Sequence, residues 1–350
     1  METNGELKPT LDKLMSEVDS VFIVPHNRPD FDALGAAVGM SLIAGKKYKK
    51  KNYIIINDEI KSLPVEIQKM IGDINKNHNV IRIGDLLPLI TDNSMLAIVD
   101  ANKDYLVSTK DYFDSFKDIL VIDHHKTDEH TIVTPNLFVD TCLSSTCEEI
   151  SRLIFNLGIK INPDEANYLL SGIVLDTNRL TKNLTSKTFS VLSKLTERGA
   201  NPETVNNLFL EEFEHDRLIQ KLVDGTEFLK YSIGIAADSS DSGRIFTVED
   251  IAKCADYISR YNVDAAFAIA YIDQDLVSIS ARSKGIIDVS AIMKLLGGGG
   301  SPTSAAARIK GYSTGDIKDY IMYLFSPSNF DNRTFMELNS EEEYKLRMKI

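Results

Sequence analysis

The sequence predicts an α/β protein: a parallel-sheet N-terminal domain, a smaller α/β C-terminal substrate-binding domain, and an active site in the cleft between them. Three observations predict it. Val- and Ile-rich runs of strand length alternate with helical patterns through the first half. Acids and histidines fall at the ends of those runs, where open α/β sheets bind their ligands. A second series of strands and helices begins near residue 231, after a charged helical stretch. The length of 350 residues fits two to three domains. A chain of that size buries a sizeable core without disulfide or metal staples.

Taken in order, "SVFIVPH" (20–26) reads as a buried strand and "DALGAAVGMSLIAGKKY" (32–48) as a helix of small and apolar residues. "NYIIIND" (52–58), "SMLAIVDAN" (94–102) and "DILVIDHH" (118–125) read as further strands. Such strands suggest a sheet covered on both faces. "STCEEISRLIFNLG" (145–158) has a serine or threonine at its start and Gly158 at its end, the signature of a helix. "PDEANYLLSGIVLDT" (163–177) is another helix, with Asp176 near its C-terminal end. From "GANPETVNNLF" (199–209) to about residue 228 the pattern is helical and charged, a connector. The expected divisions are therefore 1–200, 201–228 and 229–345. The last contains "YSIGIAAD" (231–238), a helix near 248–261, and strands "AAFAIAYID" (265–273) and "LVSISARS" (276–283). A helix "DVSAIMKLL" (288–296) follows, then "GGGGSPTSAAARI" (297–309), whose "SAAARI" can begin a helix. The two halves share no sequence repeat.

Composition narrows the chemistry. Lys and Arg number 39 against 51 Asp and Glu, a net charge of −12. Surfaces that coat long nucleic acids are basic, so a broad surface of that kind is not expected here. An anionic substrate must be met by a local positive source, such as a metal ion or a few placed arginines. No apolar run approaches the ~18 residues of a membrane span. The N-terminus "METNGELKPTLDKLM" is polar and amphipathic, unlike a signal peptide. The cysteines, Cys142, Cys147 and Cys254, are odd in number and lack C-x-x-C spacing. A reducing, cytoplasmic setting is the default expectation.

The acids and histidines carry the signal. His26, Asp30 and Asp32 follow the first strand, Asp100 ends a later one, and Asp123, His124 and His125 end another. Asp176 can join them from its helix. Carboxylates gathered in a crevice repel one another and need a cation. Histidine with aspartate and no cysteine favours Mn²⁺ ahead of Mg²⁺ or Zn²⁺. The ligand supply exceeds the needs of one ion, so two ions sharing a bridging carboxylate is the natural reading. Two metals ~3.5–4 Å apart suit in-line displacement at phosphorus. Each residue alone has a plainer role: an aspartate at a strand end usually caps a helix, and a single histidine is usually a satisfied surface or core group. Asp123 can act structurally by orienting a ligand imidazole. The combined spacing, H-x-x-x-D-x-D, then D, then D-H-H, then D, is far more specific than its parts.

With "HNRPDFDALGAA", "VDAN", "DHHK", "SSTCEE" and "GIVLDT" in that order, the chain resembles the DHH phosphoesterase family. "VDAAFAIAYIDQDLVSISARSKGIIDVSAIMKLLGGGGS" (263–301) resembles the DHH-associated C-terminal domain. The resemblance runs from about residue 20 to 325, and its wording is nearest to the GdpP-type cyclic-di-AMP phosphodiesterases. It implies one metal on His26, Asp30 and Asp100. It implies a second on Asp32, Asp100, His124 and Asp176, with Asp100 bridging, a metal-generated hydroxide as nucleophile, and His125 at the scissile phosphate or its leaving oxygen. It also implies substrate binding by Arg282, Ser283, Gly298, Gly299, Gly300 and Ser301. The arginine is a phosphate clamp, and the glycines let backbone approach a ligand, with a helix N-terminus behind them favouring an anion. Without the resemblance, Arg282 reads as a solvated strand residue and the glycines as a flexible loop.

The sequence departs from the family in three places. Ser301 stands where a histidine usually follows the glycines. "NRLTKNLTSKT" (178–188) has Leu180 in place of the usual phenylalanine and lacks the arginine and Thr-Gly pair expected near 183–185. About 20 residues precede the first strand, where GdpP-type enzymes carry membrane and sensory domains, so the chain is either a stand-alone enzyme or a fragment. The resulting expectation is a manganese-dependent phosphodiesterase opening cyclic-di-AMP to pApA, with further cutting to AMP as an extension. The alternatives are a nanoribonuclease-type exonuclease on short linear oligonucleotides and a nucleotide-binding sensor. A pyrophosphatase with a similar N-terminal domain is disfavoured by the "SISARS…GGGG" region. No long nucleic acid and no membrane are expected as partners, and a homodimer is left open.

Overall fold

The computed structural model describes residues 4–57, 59–209, 213–229, 232–239 and 243–325. The chain divides into two compact units, Met1–Leu210 and Glu211–Ile350. The first begins α1 (Asn4–Glu17), β1 (Ser20–Val24), α2 (Phe31–Leu42), β2 (Lys51–Ile56), α3 (Val65–Ile74) and β3 (Val80–Arg82). It continues β4 (Ser94–Val99), β5 (Asp118–Asp123), β6 (Asn136–Val139), α4 (Thr146–Asn156), α5 (Pro163–Asp176), α6 (Ser186–Glu197) and α7 (Pro202–Asn207). The strands form one parallel sheet in the order β3-β2-β1-β4-β5-β6. The order reverses between β1 and β4, which makes their carboxyl ends the switch point where such sheets bind ligands.

Strand alternation sorts the core. Val21, Ile23, Ile54, Ile56, Met95, Ala97 and Val99 enter the core shared with the helices. Phe22, Val24, Tyr53, Ile55, Leu96 and Ile98 enter the opposite one. Both faces are covered, as expected for a parallel sheet, but the helices of this unit pack on the first. The second is covered by residues such as Leu86, Val107, Phe116 and Ile132, drawn largely from short 3₁₀ turns and loops. The connections on that side carry too few apolar residues at helical spacing to build a helix. The short strands β3 and β6, half-buried and without clear alternation, were not predicted.

The second unit runs α8 (Phe213–Asp224), β7 (Glu227–Leu229), β8 (Ile233–Ala237), α9 (Val248–Ser259), β9 (Ala265–Asp273) and β10 (Leu276–Ser283). It ends with α10 (Val289–Leu295), β11 (Gly299–Ser301), β12 (Ser304–Lys310) and α11 (Thr314–Leu324). Its sheet is mixed, ordered β11-β12-β10-β9-β8-β7, with β8 and β9 parallel. Helices α10 and α11 cover one face and α8 and α9 the other. The stretch expected as a connector is thus shared: α7 belongs to the first unit and α8 packs into the second. The part of the expected 229–345 division beyond residue 325 lies outside the described residues, as do Asp58 and Tyr231 at the edges of expected strands.

One expectation is overturned. "SAAARI" does not start a helix; it forms β12, paired with β10 on one side and β11 on the other. Ala305, Ala307 and Ile309 point inward and their neighbours outward, a period of two. Alanine favours helix in isolation, but a slot between two strands overrides that preference. The glycine run therefore leads into a hairpin, not into a helix N-terminus. A Cβ on Gly298 would sit 2.1 Å from the Ala306 carbonyl oxygen, so the close strand approach demands glycine there.

Candidate metal centre

The centre is assembled by the loops and helix ends around the switch point. Asp30 caps α2, its Oδ1 accepting the backbone N–H of Asp32 at 2.9 Å and of Ala33 at 3.0 Å. The capping role uses Oδ1 and leaves Oδ2 without a backbone partner from the helix. Asp32, in the first turn of α2, is fully buried. Asp100 follows β4 at 3% exposure with φ of 60°. That left-handed conformation is sparsely populated except by Gly, Asn and Asp, and it turns the chain sharply out of the strand. His124 follows β5, and Asp176 is the last residue of α5.

These side chains converge. His26 Nε2 lies 3.9 Å from Asp30 Oδ1 and 3.8 Å from Asp100 Oδ2. His124 Nε2 lies 3.6 Å from the other oxygen of Asp100, 4.0 Å from Asp32 Oδ2 and 3.0 Å from Asp176 Oδ2. Ligand atoms of His26, Asp30 and Asp100 lie within 4.8 Å of one another, and so do those of Asp32, His124 and Asp176. Asp100 thus presents one oxygen to each imidazole.

Asp123, His124, His125 and Asp100 form a further such group. There Asp123 Oδ1 already accepts the backbone N–H of His124 at 2.7 Å and of His125 at 3.2 Å, and lies 2.8 Å from His125 Nδ1. A carboxylate oxygen so engaged orients His125, whose ring is 57% exposed. Asn102, buried in the same loop layer, donates its side-chain N–H to the His125 carbonyl at 2.9 Å.

The electrostatics fit a cation. Burial first, then Asp32, Asp30, Asp176 and Asp123, drives Asp100 well above the usual carboxylate range. Burial and Asp32 lift Asp176 to about 7 against the pull of His124. Burial works to lower His124, but Asp176 and Asp32 overcome it and raise it to about 9. Buried carboxylates this close raise one another's proton affinity, and a cation among them relieves that repulsion. His124 Nε2 is buried, and its nearest polar neighbour is Asp176 Oδ2 at 3.0 Å, an ion-pair approach without hydrogen-bond geometry. The set is imidazole and carboxylate, with no thiolate ligand, which suits a divalent ion of intermediate hardness.

Sequence reasoning missed what stands behind these ligands. The N-terminus of α4 meets Asp32: Thr146 N donates to Oδ2 at 2.8 Å and Cys147 N to Oδ1 at 2.9 Å. The Thr146 hydroxyl donates to Asp100 Oδ1 at 2.9 Å. "SSTCEE" was legible as a helix start, with Ser145 as its cap. Nothing in its spacing tells which carboxylates the first turn meets.

The residues expected to bind substrate lie together at one corner of the second sheet. Arg282 on β10 pairs in register with Ser304 on β12, which pairs in turn with Ser301 on β11. Arg282 is engaged already: Nε and Nη2 donate to the two Asp256 carboxylate oxygens at 2.8 and 3.3 Å. Its Nη1 donates to Ser280 Oγ and the Ala281 carbonyl, each at 3.1 Å. Ser283 Oγ accepts the Gly285 N–H at 3.0 Å, and Ser301 Oγ accepts the Ser304 N–H at 3.1 Å. Gly299 and Gly300 pair with Ala306 and Ala305, beside Gly298.

Residues 20–173 match the DHH family, N-terminal domain, and 235–323 match the DHHA1 domain. A cyclic-di-AMP phosphodiesterase, GdpP of Bacillus subtilis (strain 168), is 33% identical over 321 residues, covering 89% of this chain and 48% of that protein. The bifunctional oligoribonuclease and PAP phosphatase NrnA of the same organism is 25% identical, covering 89% of this chain and 96% of NrnA. The chain thus spans about half the length of GdpP. A crystal structure of an exopolyphosphatase-related protein from Bacteroides fragilis shares the fold, with a TM-score of 0.74 at 18% identity over 99% of this chain and 98% of that one. No helix among the described residues is long and apolar enough to cross a membrane.

Proposed function

From the premise that the chain belongs to the DHH family, we propose that it is a manganese-dependent phosphodiesterase that opens cyclic-di-AMP to pApA. The observation that carries the reading is the paired ligand set, His26–Asp30–Asp100 and Asp32–His124–Asp176, each within 4.8 Å. Similarity to GdpP points to the substrate. Two divalent ions, when bound, supply Lewis acidity and lower the pKa of water.

The protein's own residues do the rest. Asp100 would serve both positions, since its Oδ2 faces His26 and its Oδ1 faces His124. Asp30 caps α2 and Asp32 sits in its first turn, so one helix end would supply a carboxylate to each position. Asp123 holds His125 through Nδ1, which leaves Nε2 to meet the scissile phosphate and, when protonated, to give its proton to the leaving oxygen. In the second unit, Arg282, Ser283 and Gly298 to Ser301 form the corner that takes the nucleotide. Arg282 shares its charge with Asp256 there, so its clamp is weaker than that of a free guanidinium.

A second reading, hydrolysis of pApA or short oligoribonucleotides, is favoured by the match along nearly all of NrnA. Both readings use the same metal positions, so a substrate panel separates them. Cyclic-di-AMP, cyclic-di-GMP, pApA and a short RNA are incubated with Mn²⁺ and the products identified. The leading reading expects cyclic-di-AMP to be cleaved with the highest kcat/KM. Preference for RNA or pApA transfers the assignment to the second reading, and no cleavage of any of them removes both.

A further inference from the structure

We infer that Thr146 is a positioning residue for the bridging carboxylate, and that its hydroxyl sets occupancy of the metal position lined by Asp32, His124 and Asp176. The inference rests on the two-metal reading given above.

The geometry is specific to that position. Thr146 Oγ1 donates to Asp100 Oδ1, at 2.9 Å, the oxygen that faces His124. The other oxygen, Oδ2, faces His26. A carboxylate oxygen has two lone pairs in its plane. With one fixed by Thr146, the carboxylate cannot rotate freely, and the second lone pair of Oδ1 keeps a fixed aim. The same residue's backbone N–H, with that of Cys147, holds both oxygens of Asp32 at 2.8 and 2.9 Å. The first turn of α4 therefore grips Asp32 and the one oxygen of Asp100 that faces His124, while the other oxygen of Asp100 faces His26, in the group with Asp30.

The grip lies out of contact with solvent. Thr146, Cys147 and Asp32 are fully buried and Asp100 nearly so. Ser145 caps α4 by accepting the Glu148 N–H at 3.1 Å, so the turn carrying the three donors is itself fixed. An outer hydrogen bond of this kind typically changes metal affinity by roughly 10- to 100-fold. The loss should fall on one ion of the pair.

The test is calorimetric titration of metal-free protein with Mn²⁺, a readout independent of turnover. Thr146→Val replaces the hydroxyl by a methyl of the same shape; Thr146→Ser keeps the hydroxyl and loses the methyl. Wild type and Thr146→Ser should bind two ions alike. Thr146→Val should keep one tight ion and bind the other roughly 10- to 100-fold more weakly. Circular dichroism of each metal-free variant checks that it folds. If Thr146→Val does not, the Ser variant decides: weakening by Thr146→Ser would assign the effect to packing and overturn the inference. Two wild-type affinities in a folded Thr146→Val would also overturn it. His124→Ala separates this from the wider reading. If that variant binds two ions like wild type, the two-metal centre itself fails; if it loses metal while Thr146→Val does not, only the inference about Thr146 fails.

Discussion

Asp100 combines three features in one residue: a buried carboxylate, a left-handed backbone with φ of 60°, and an N–H donated to the Ile122 carbonyl at 3.0 Å. Its candidacy as a ligand was legible, because an aspartate ending an apolar run stood out. Its conformation and its hydrogen bond from Thr146 were not, because both depend on what packs above the strand. Glu149 was equally illegible. It is buried with Arg152 Nη1 3.0 Å from Oε2, and burial, outweighing that partner, pushes it up to about 7. A carboxyl with a native pKa above its unfolded value binds its proton more tightly when folded. Its contribution is therefore most favourable at low pH and is lost as pH rises through that window. Glu149→Gln removes the loss. Relative to wild type it should gain on the order of 3 kcal/mol between about pH 4 and about pH 8. Urea denaturation across that range checks it, and a pH-independent difference would refute it. Ser301 makes a smaller contribution, its hydroxyl serving the hairpin turn at Ser304. Ser301→His places an imidazole donor beside the corner that holds Arg282. KM for cyclic-di-AMP should fall by about tenfold with kcat little changed. An unchanged KM would show that residue 301 does not meet the substrate.

At the scale of elements, the site depends on how closely α2, α4 and α5 pack. The small residues of "DALGAA" were read as a helix, but their purpose is visible only in the packing. A Cβ on Gly172 of α5 would lie 2.6 Å from Asp32 Oδ1 and 2.6 Å from Cys147 Sγ. Gly172→Ala should destabilise the protein by ~1–3 kcal/mol and, if Asp32 holds metal as proposed, weaken Mn²⁺ binding, because the intruding methyl displaces the Asp32 carboxylate. Gly72, in α3, faces open space: a Cβ there would meet nothing within 4 Å. Gly72→Ala should therefore stabilise by ~0.5–1 kcal/mol through helix propensity, with metal binding unchanged. Thermal denaturation with and without Mn²⁺ compares the two, and equal effects would contradict the packing argument. The segment after Asp176 marks the limit of sequence reading. Its departure from the family pattern was visible, but the left-handed conformations of Asn178, Arg179 and Leu180 were not, since no glycine announces them.

At the scale of the whole molecule, a net charge of −12 coexists with a cluster of carboxylates that the proposed function sets against an anionic substrate. Under that proposal, cations at the cluster and a few placed basic residues would reconcile the two. The fold was largely legible because both halves alternate strands with helices and because ligands of a parallel sheet gather where the strand order reverses. The "SAAARI" strand was not, because its hairpin partner and its slot beside β10 are tertiary facts. The central claim is that metals held by these carboxylates and imidazoles perform the hydrolysis. Its most direct test is the rate of pApA formation from cyclic-di-AMP with Mn²⁺, with excess chelator, and with Asp100→Asn in Mn²⁺. Wild type should turn over in Mn²⁺ alone, with chelator and Asp100→Asn each abolishing turnover. Full turnover in chelator, or by Asp100→Asn, would contradict that claim.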